Sequence, residues 1–504
     1  MIDGGLFWGR NPASGAELSE SALLEWLESS GCDAALVAAY SGIYFDYAEA
    51  NHSLSLLAAR HPQKIIPAAT VQPAGFDISQ GGAYFEMLKS QGIKALGIYL
   101  SPNYYDISLG SPLVQEIVRL ALEKGLVVQI GIRNAADVAQ LSKGYAALQG
   151  SILIRWMNGR GYQSYAEALN LALQHEQFYF DVGSLTSSGL IKHFTQRIGA
   201  NRLYFTSNRP ESFAWTSHFL LRSAGLTSAE LEQIYHGTLA NVFNLPRVSS
   251  QKVIQMPVRF QSLMNRPKVD THWHTEGWNL IEPEKGTDYF EPAKRKYNIT
   301  KTVVSSIRAL NGDMEKGNHD LFNYAATQEG VFALIVVDPL RIEASLAQMD
   351  RYAHHPKAVG IKTIQDLYGL ELDADAYGPL FNRASTERLS VMAHIPGLLR
   401  ASQKYSDVTF ICAHATYERV MNMLRQPNIY FDIATSHHDE CESKLEKLIK
   451  EAGEDKILFA SDSPLMSPAW TLGKLAGLDL QESQTTKIFY ENACRAFPKL
   501  ANEI

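Results

Sequence analysis

Six residues in the second half of this chain have the types and order of a metal centre. They are His272 and His274, in the run Asp270-Thr271-His272-Trp273-His274, then Lys362, His394, His414 and Asp462. His272 and His274 are two apart. Residues i and i+2 of a strand point to one face, so both imidazoles can grip one ion. Three histidines and an aspartate form a nitrogen-rich, oxygen-supplemented shell. It suits Zn²⁺, with Mn²⁺ or Fe²⁺ as alternatives.

Such residues need a scaffold that gathers them. The second half alternates short apolar runs with amphipathic stretches. The runs are 268–272, 302–306, 331–338, 358–364, 390–395, 408–414, 429–434 and 456–462. They are continuous rather than alternating, as strands buried on both faces of a parallel sheet are. Eight strand-helix units in roughly 240 residues predict a (β/α)8 barrel, whose active site lies at the C-terminal strand ends. The candidate ligands fall in or at the end of these runs.

The first half repeats the order. Ala95-Leu96-Gly97-Ile98-Tyr99 matches Ala358-Val359-Gly360-Ile361-Lys362, and Val128-Gln129-Ile130-Gly131-Ile132 matches Val391-Met392-Ala393-His394-Ile395. Phe178 to Val182 matches Ile429 to Ile433, and Gly199 to Asn208 matches Gly453 to Asp462. An ordered series of this kind predicts an internal duplication. The chain therefore reads as two tandem (β/α)8 TIM-type barrels, over 1–245 and 267–504. The linker 246–266 has no clear helical or strand period. At the metal positions the first copy carries Gly5, Phe7, Tyr99, Gly131, Asn158 and Asn208. Gly, Phe and neutral Asn cannot supply the donors a metal needs, so no catalytic metal is expected in 1–245.

The motifs DTHWH, GIK, MAHIP, ICAHA, FDIA, FASDSP and NACRAF span nearly the whole second half. As an ordered set they resemble the amidohydrolase superfamily. The likeness is to the branch that includes aminocarboxymuconate semialdehyde decarboxylase and γ-resorcylate decarboxylase; the first half resembles it in scaffold only. The resemblance implies one metal held by His272, His274, His394 and Asp462, with His414 beside it as general acid or base. Bound metals lower the pKa of a water and polarise a carbonyl. Asp462 can take a proton while holding the ion, and His414 can pass one to a leaving group. The expected reaction is hydrolysis of an amide, ester or lactone in a small molecule. Non-oxidative decarboxylation of an unsaturated or aromatic carboxylate is the alternative, and a non-catalytic scaffold with a structural metal is another. In binuclear relatives a lysine placed as Lys362 is carboxylated and bridges two ions. One ion is the favoured reading here, with two if Lys362 is carboxylated.

Composition narrows the partners. The net charge of -7 over 504 residues argues against a nucleic-acid footprint, which needs a basic stripe. No apolar run reaches the about 18 residues of a membrane span, and no secretion signal is visible near Met1. Cys32, Cys412, Cys441 and Cys494 form no paired motif, which fits a reducing cytoplasm. His354 and His355 precede the fourth strand and read as structural, and His437 and His438 as a loop facing the site. Trp273 and Trp278 read as pocket wall or core, Cys412 as a buried hydrophobe, and Asp432, matched by Asp181 in the first copy, as scaffold. The first copy is expected to form a pseudo-dimer with the second within one chain, in place of a homodimer interface. A sharper possibility is a first-half arginine reaching the second site, from Arg133, Arg155, Arg160 or Arg209. A vestigial first-half pocket bordered by Tyr104, Tyr105, Trp156 and Tyr162 is another.

Overall fold

A computed structural model describes residues 1–100, 107–157, 164–246, 258–277, 289–435 and 440–503. By internal contacts the chain divides into two compact units, residues 1–255 with 437–441 and residues 256–436 with 442–504. Asn158, Arg160, Tyr104, Tyr105, Tyr162, Trp278, His437 and His438 lie outside the described residues. So does most of the first half of the expected linker. The rest of that linker holds a helix, Val258–Asn265, where the sequence shows no helical period.

In the second unit all eight apolar runs form strands. They are β10 (Lys268–His274), β11 (Ile299–Ser305), β12 (Val331–Val336), β13 (Ala358–Lys362), β14 (Ser390–Ala393), β15 (Phe410–Cys412), β16 (Ile429–Asp432) and β17 (Ile457–Leu458), in sheet order equal to chain order. Each neighbour pair is parallel. Closure comes from hydrogen bonds between β10 and the segment after β17. Thr271 N donates to Phe459 O at 3.1 Å, Asp462 N to His272 O at 2.8 Å and His274 N to Ser463 O at 2.8 Å. Val269, Val303, Phe332, Val359, Met392, Ile411 and Leu458 fill the barrel core. This interior layer is why the runs are apolar throughout, since their other faces meet the helices.

Among the described residues the first unit has nine strands. They are β1 (Ile2–Arg10), β2 (Glu17–Leu18), β3 (Ala34–Ala39), β4 (Ile65–Thr70), β5 (Ala95–Ile98), β6 (Val127–Ile132), β7 (Ile152–Trp156), β8 (Phe178–Asp181) and β9 (Leu203–Tyr204). β2 is a short antiparallel addition to β1, and the other eight follow one another as in the second unit. Closure is repeated as well. Gly4 N donates to Phe205 O at 2.8 Å and Phe7 N to Arg209 O at 3.1 Å. The chain is thus an α/β protein of two tandem TIM-type barrels.

Strand register corrects two of the sequence matches. Val128 pairs with Ile152 and Val391 with Phe410, so counting along both strands puts Trp156, not Asn158, at the place of His414. Gln129 pairs with Gly97 and Met392 with Lys362, so Gly97, not Tyr99, holds the place of Lys362. An irregularity between Ala333 and Leu334 in the pairing of β12 with β13 offsets the two copies there.

Candidate metal centre

The C-terminal ends of the second barrel's strands bring five of the six expected residues around Asp462. His272 and His274 close β10, and both are buried. Lys362 is the last residue of β13 and is buried. His394 follows β14 directly, and His414 and Asp462 lie just beyond β15 and β17. His414 (φ 58°) and Asp462 (φ 57°) both hold left-handed backbone, sparsely populated for residues with a Cβ. Such conformations cluster at functional sites, where the surroundings over-determine them.

His272, His274 and Asp462 offer ligand atoms that all lie within 4.8 Å of one another, in a buried position. His274 Nε2 is 3.0 Å and His272 Nε2 3.5 Å from Asp462 Oδ1. A tetrahedral zinc shell with ligands at about 2.0–2.1 Å has donor-donor edges of about 3.3 Å. These donors therefore fit one ion. The outer nitrogens are occupied. His272 Nδ1 lies 2.6 Å from Asp432 Oδ2, and His274 Nδ1 3.0 Å from Ser305 Oγ. His394 Nδ1 lies 2.8 Å from Asp366 Oδ2, and His414 Nδ1 donates to the Ala434 carbonyl. A carboxylate or carbonyl partner accepts only, so the hydrogen belongs on Nδ1 and the lone pair on Nε2. Lys362 Nζ, a donor, faces His272 Nε2 at 3.2 Å and agrees with that tautomer.

Electrostatics keep the imidazoles of His272, His394 and His414 neutral. Burial, then the charge of Lys362, holds His272 well below the ordinary histidine range. Burial takes His414 down to about 3 despite the opposing pull of Asp462. His394 is lowered as well, by burial first and against its bond to Asp366. Burial alone would raise Asp462, but His414, His274 and Lys362 outweigh it and keep the carboxyl below its usual range. Burial lowers Lys362 to about 8, opposed by Asp462 and Asp432. Neutral imidazoles around an ionised carboxylate are the protonation states that ligation requires.

Residues 268–499 match the family model described as Amidohydrolase. The second barrel belongs to the amidohydrolase family. Among solved structures, the chain is similar to a probable 2-pyrone-4,6-dicarboxylic acid hydrolase from Acinetobacter baumannii. That match has 13% identity over 48% of this chain and 99% of that one, with a TM-score of 0.39. It is also similar to a 2,6-dihydroxybenzoate decarboxylase from Rhizobium (15% identity, 46% and 99% covered, TM-score 0.38). A third is a 5-carboxyvanillate decarboxylase from Sphingomonas paucimobilis (11% identity, 49% and 99% covered, TM-score 0.38). No curated protein matches the chain.

The first barrel keeps the frame of the second barrel's site and fills its centre. Asp3 Oδ1 accepts from Gly5 N and Ser207 N at 3.2 and 3.1 Å, as Asp270 Oδ1 does from His272 N and Ser461 N at 3.2 and 3.0 Å. Asn208, at the place of Asp462, has the same left-handed backbone (φ 55°). Into this frame comes Arg155, buried in full. Its Nε donates to Asn208 Oδ1 at 3.2 Å and its Nη2 to Gly5 O at 3.1 Å, and its Cζ sits 4.2 Å from the centre of the Phe7 ring. These three residues stand where Asp462, His272 and His274 do. A Cβ at Gly5 would lie 3.0 Å from Arg155 Cζ, and one at Gly131 would lie 2.6 Å from Met157 Cγ. A guanidinium therefore occupies the place at which the second barrel gathers His272, His274 and Asp462. Of the other candidate arginines, the described Arg133 and Arg209 also have partners in their own barrel. Arg133 pairs with Asp137 at 3.0 Å, and Arg209 lies 5.0 Å over the Trp26 ring.

Three supporting residues escaped the sequence reading. Asp432 touches His272 directly, although its retention in both copies suggests scaffold alone. Its counterpart Asp181 instead accepts from Thr206 Oγ1 at 3.0 Å. Ser305 and Asp366 carry no motif. The nearest available signal is their place, at a strand end and in the loop after a strand. Trp273 is core, stacked 5.1 Å from Phe290, and Cys412 is buried. His355 packs edge-on against Phe322, and His354 lies 3.3 Å from Glu387. Among the described residues no helix is long and apolar enough to cross a membrane.

Proposed function

We propose that the second barrel is a metal-dependent hydrolase of an amide, ester or lactone bond in a small molecule. The observation that carries this reading is the way Asp462 divides its oxygens. Oδ1 faces Nε2 of His272 and His274, while Oδ2 faces His414 Nε2 across 4.0 Å. One side is a metal pole and the other a proton-transfer pole. When bound, a divalent ion such as zinc supplies Lewis-acid polarisation of a carbonyl and lowers the pKa of a water.

The chain's own residues do the rest. His272, His274 and Asp462 would hold the ion, with Asp432 and Ser305 fixing the rings. The Ser305 hydroxyl can donate or accept, so His274 can present Nε2 as a donor or as a lone pair. Asp462, kept ionised, accepts a proton from the attacking water. His414 is neutral, with Nδ1–H on the Ala434 carbonyl, so its Nε2 lone pair can relay the proton that Asp462 takes from the water on to the leaving group. The 4.0 Å between His414 and Asp462 exceeds a direct hydrogen bond, so the two groups are not tied to each other. Lys362 adds positive charge beside the developing oxyanion.

Replacing His414 with Asn tests the assignment. Metal content should stay at the wild-type level while kcat/KM on the best substrate of an ester, lactone and amide panel falls about 10²–10⁴-fold. Release of CO₂ from aromatic or unsaturated carboxylates, with no hydrolysis, would assign the same site to decarboxylation. A His414→Asn protein with undiminished turnover would remove the proton-transfer role. Unfolding of Asp462→Asn on metal loss would support a structural metal instead.

A further inference from the structure

The loop after β13 grips the residue after β14. Two consecutive side chains do this, Gln365 and Asp366, the first two residues of the helical turn Gln365–Tyr368. Gln365 is buried and brackets the backbone of His394. Its Oε1 accepts from His394 N at 3.1 Å, and its Nε2 donates to His394 O at 2.7 Å and Pro396 O at 2.9 Å. Asp366 Oδ2 then takes Nδ1 of the same residue at 2.8 Å. With peptide and ring both tied, the imidazole stands edge-on to His414, ring centres 5.2 Å apart and planes at 75°. The nitrogen left over is Nε2. His394 is not part of the His272, His274 and Asp462 cluster. Its approach to the ion therefore depends on ring orientation. A histidine χ2 is a broad torsion that does not fix orientation by itself.

We propose that Gln365 and Asp366 form a clamp that aims His394 Nε2 at the metal centre, Asp366 being the positioning residue that makes His394 the fourth ligand. This rests on the reading that the site binds a metal. Outer partners of ligating histidines set ring orientation and raise ligand basicity, and losing one weakens metal binding about 10–100-fold. The clamp also couples two loops, so the helical turn after β13 is ordered by the same contacts that aim the ring.

Asp366 suits a test because its side chain is 58% exposed and its replacement leaves no buried charge unpaired. The full chain is stripped of metal and titrated with Co²⁺. The dissociation constant is measured by chelator competition, and the coordination state by visible absorption. Wild type is compared with Asp366→Ala, Asp366→Asn and Asp373→Asn, the last a control for loss of a nearby half-buried carboxylate that touches none of the site's histidines. Asp366→Ala should weaken binding about 10-fold or more and shift the visible bands. Asp366→Asn keeps an acceptor for Nδ1–H and should fall between it and wild type. Asp373→Asn should match wild type. Equal affinity and equal spectra in wild type and Asp366→Ala overturn the clamp and leave the metal reading standing. A wild-type protein that takes up no cobalt overturns both.

Discussion

Among the described residues, each of the four histidines in the second barrel's mouth spends one ring nitrogen on the protein. Asp432, Ser305, Asp366 and the Ala434 carbonyl take Nδ1 of His272, His274, His394 and His414 in turn. Where the partner only accepts, as for His272, His394 and His414, the tautomer is fixed and the remaining nitrogen becomes a directed donor atom. The first barrel shows the complementary logic. Arg155 brings a positive charge to the corresponding place and satisfies Asn208 and the Gly5 carbonyl with it. Restoring ligands by Gly5→His, Phe7→His and Asn208→Asp should therefore fail to create a metal site, since the new Cβ at Gly5 meets the guanidinium at 3.0 Å. Adding Arg155→Ala to the three should allow zinc uptake. Equilibrium dialysis of both proteins, in a His272→Ala background, checks this. Zinc uptake by the first barrel of the triple variant with Arg155 intact would contradict it.

Among elements, the eight strands of the second barrel were legible because burial on both faces forces unbroken apolar runs. The residues at their C-terminal ends were legible because the polar residue ending such a run has a reason to be there. Other features depend on geometry that a linear pattern does not carry. The offset between β12 and β13 hides the equivalence of Gly97 with Lys362, and equal spacing pointed to Tyr99 instead. Arg155 is an inward residue within β7, and nothing in its neighbours marks it as the group that fills the site. Asp366 sits in an exposed turn and gains its role only through the fold. The helix Thr216–Ser223 shows a different burial. It places His218 among Phe205, Trp215 and Tyr235, with ring centres 4.5, 5.2 and 5.6 Å away. Burial takes this imidazole from 6.5 down to about 3. The folded state then stays unprotonated where the unfolded chain gains a proton, so stability falls as pH drops below 6.5. The loss approaches about 1.4 kcal/mol per pH unit. Urea unfolding of wild type and His218→Phe at pH 7.5 and pH 5.0 should show the gap between them shift in favour of the variant at the lower pH. An unchanged gap would refute the burial argument.

At the scale of the whole molecule, one frame is used twice with different contents. Both barrels share strand order, closure hydrogen bonds, an aspartate on the first strand that accepts from the end of the last loop, and a left-handed residue after the last strand. These features define the site's walls, and they persist whether the centre is a guanidinium or a cluster of ligands. Stability of the frame and chemistry at its mouth are therefore separable, as the division of a TIM barrel into a packed core and a face of loops allows. Among the described residues, the cluster that could hold a metal, His272, His274 and Asp462, stands in one half of the chain.

Metal content of the purified full chain, measured by mass spectrometry beside His272→Ala, tests this most directly. The account predicts about one equivalent of zinc or a similar divalent ion per chain, lost in the variant while the fold is kept. No metal in the wild type, with none taken up on soaking, or an equivalent that survives His272→Ala, would contradict it.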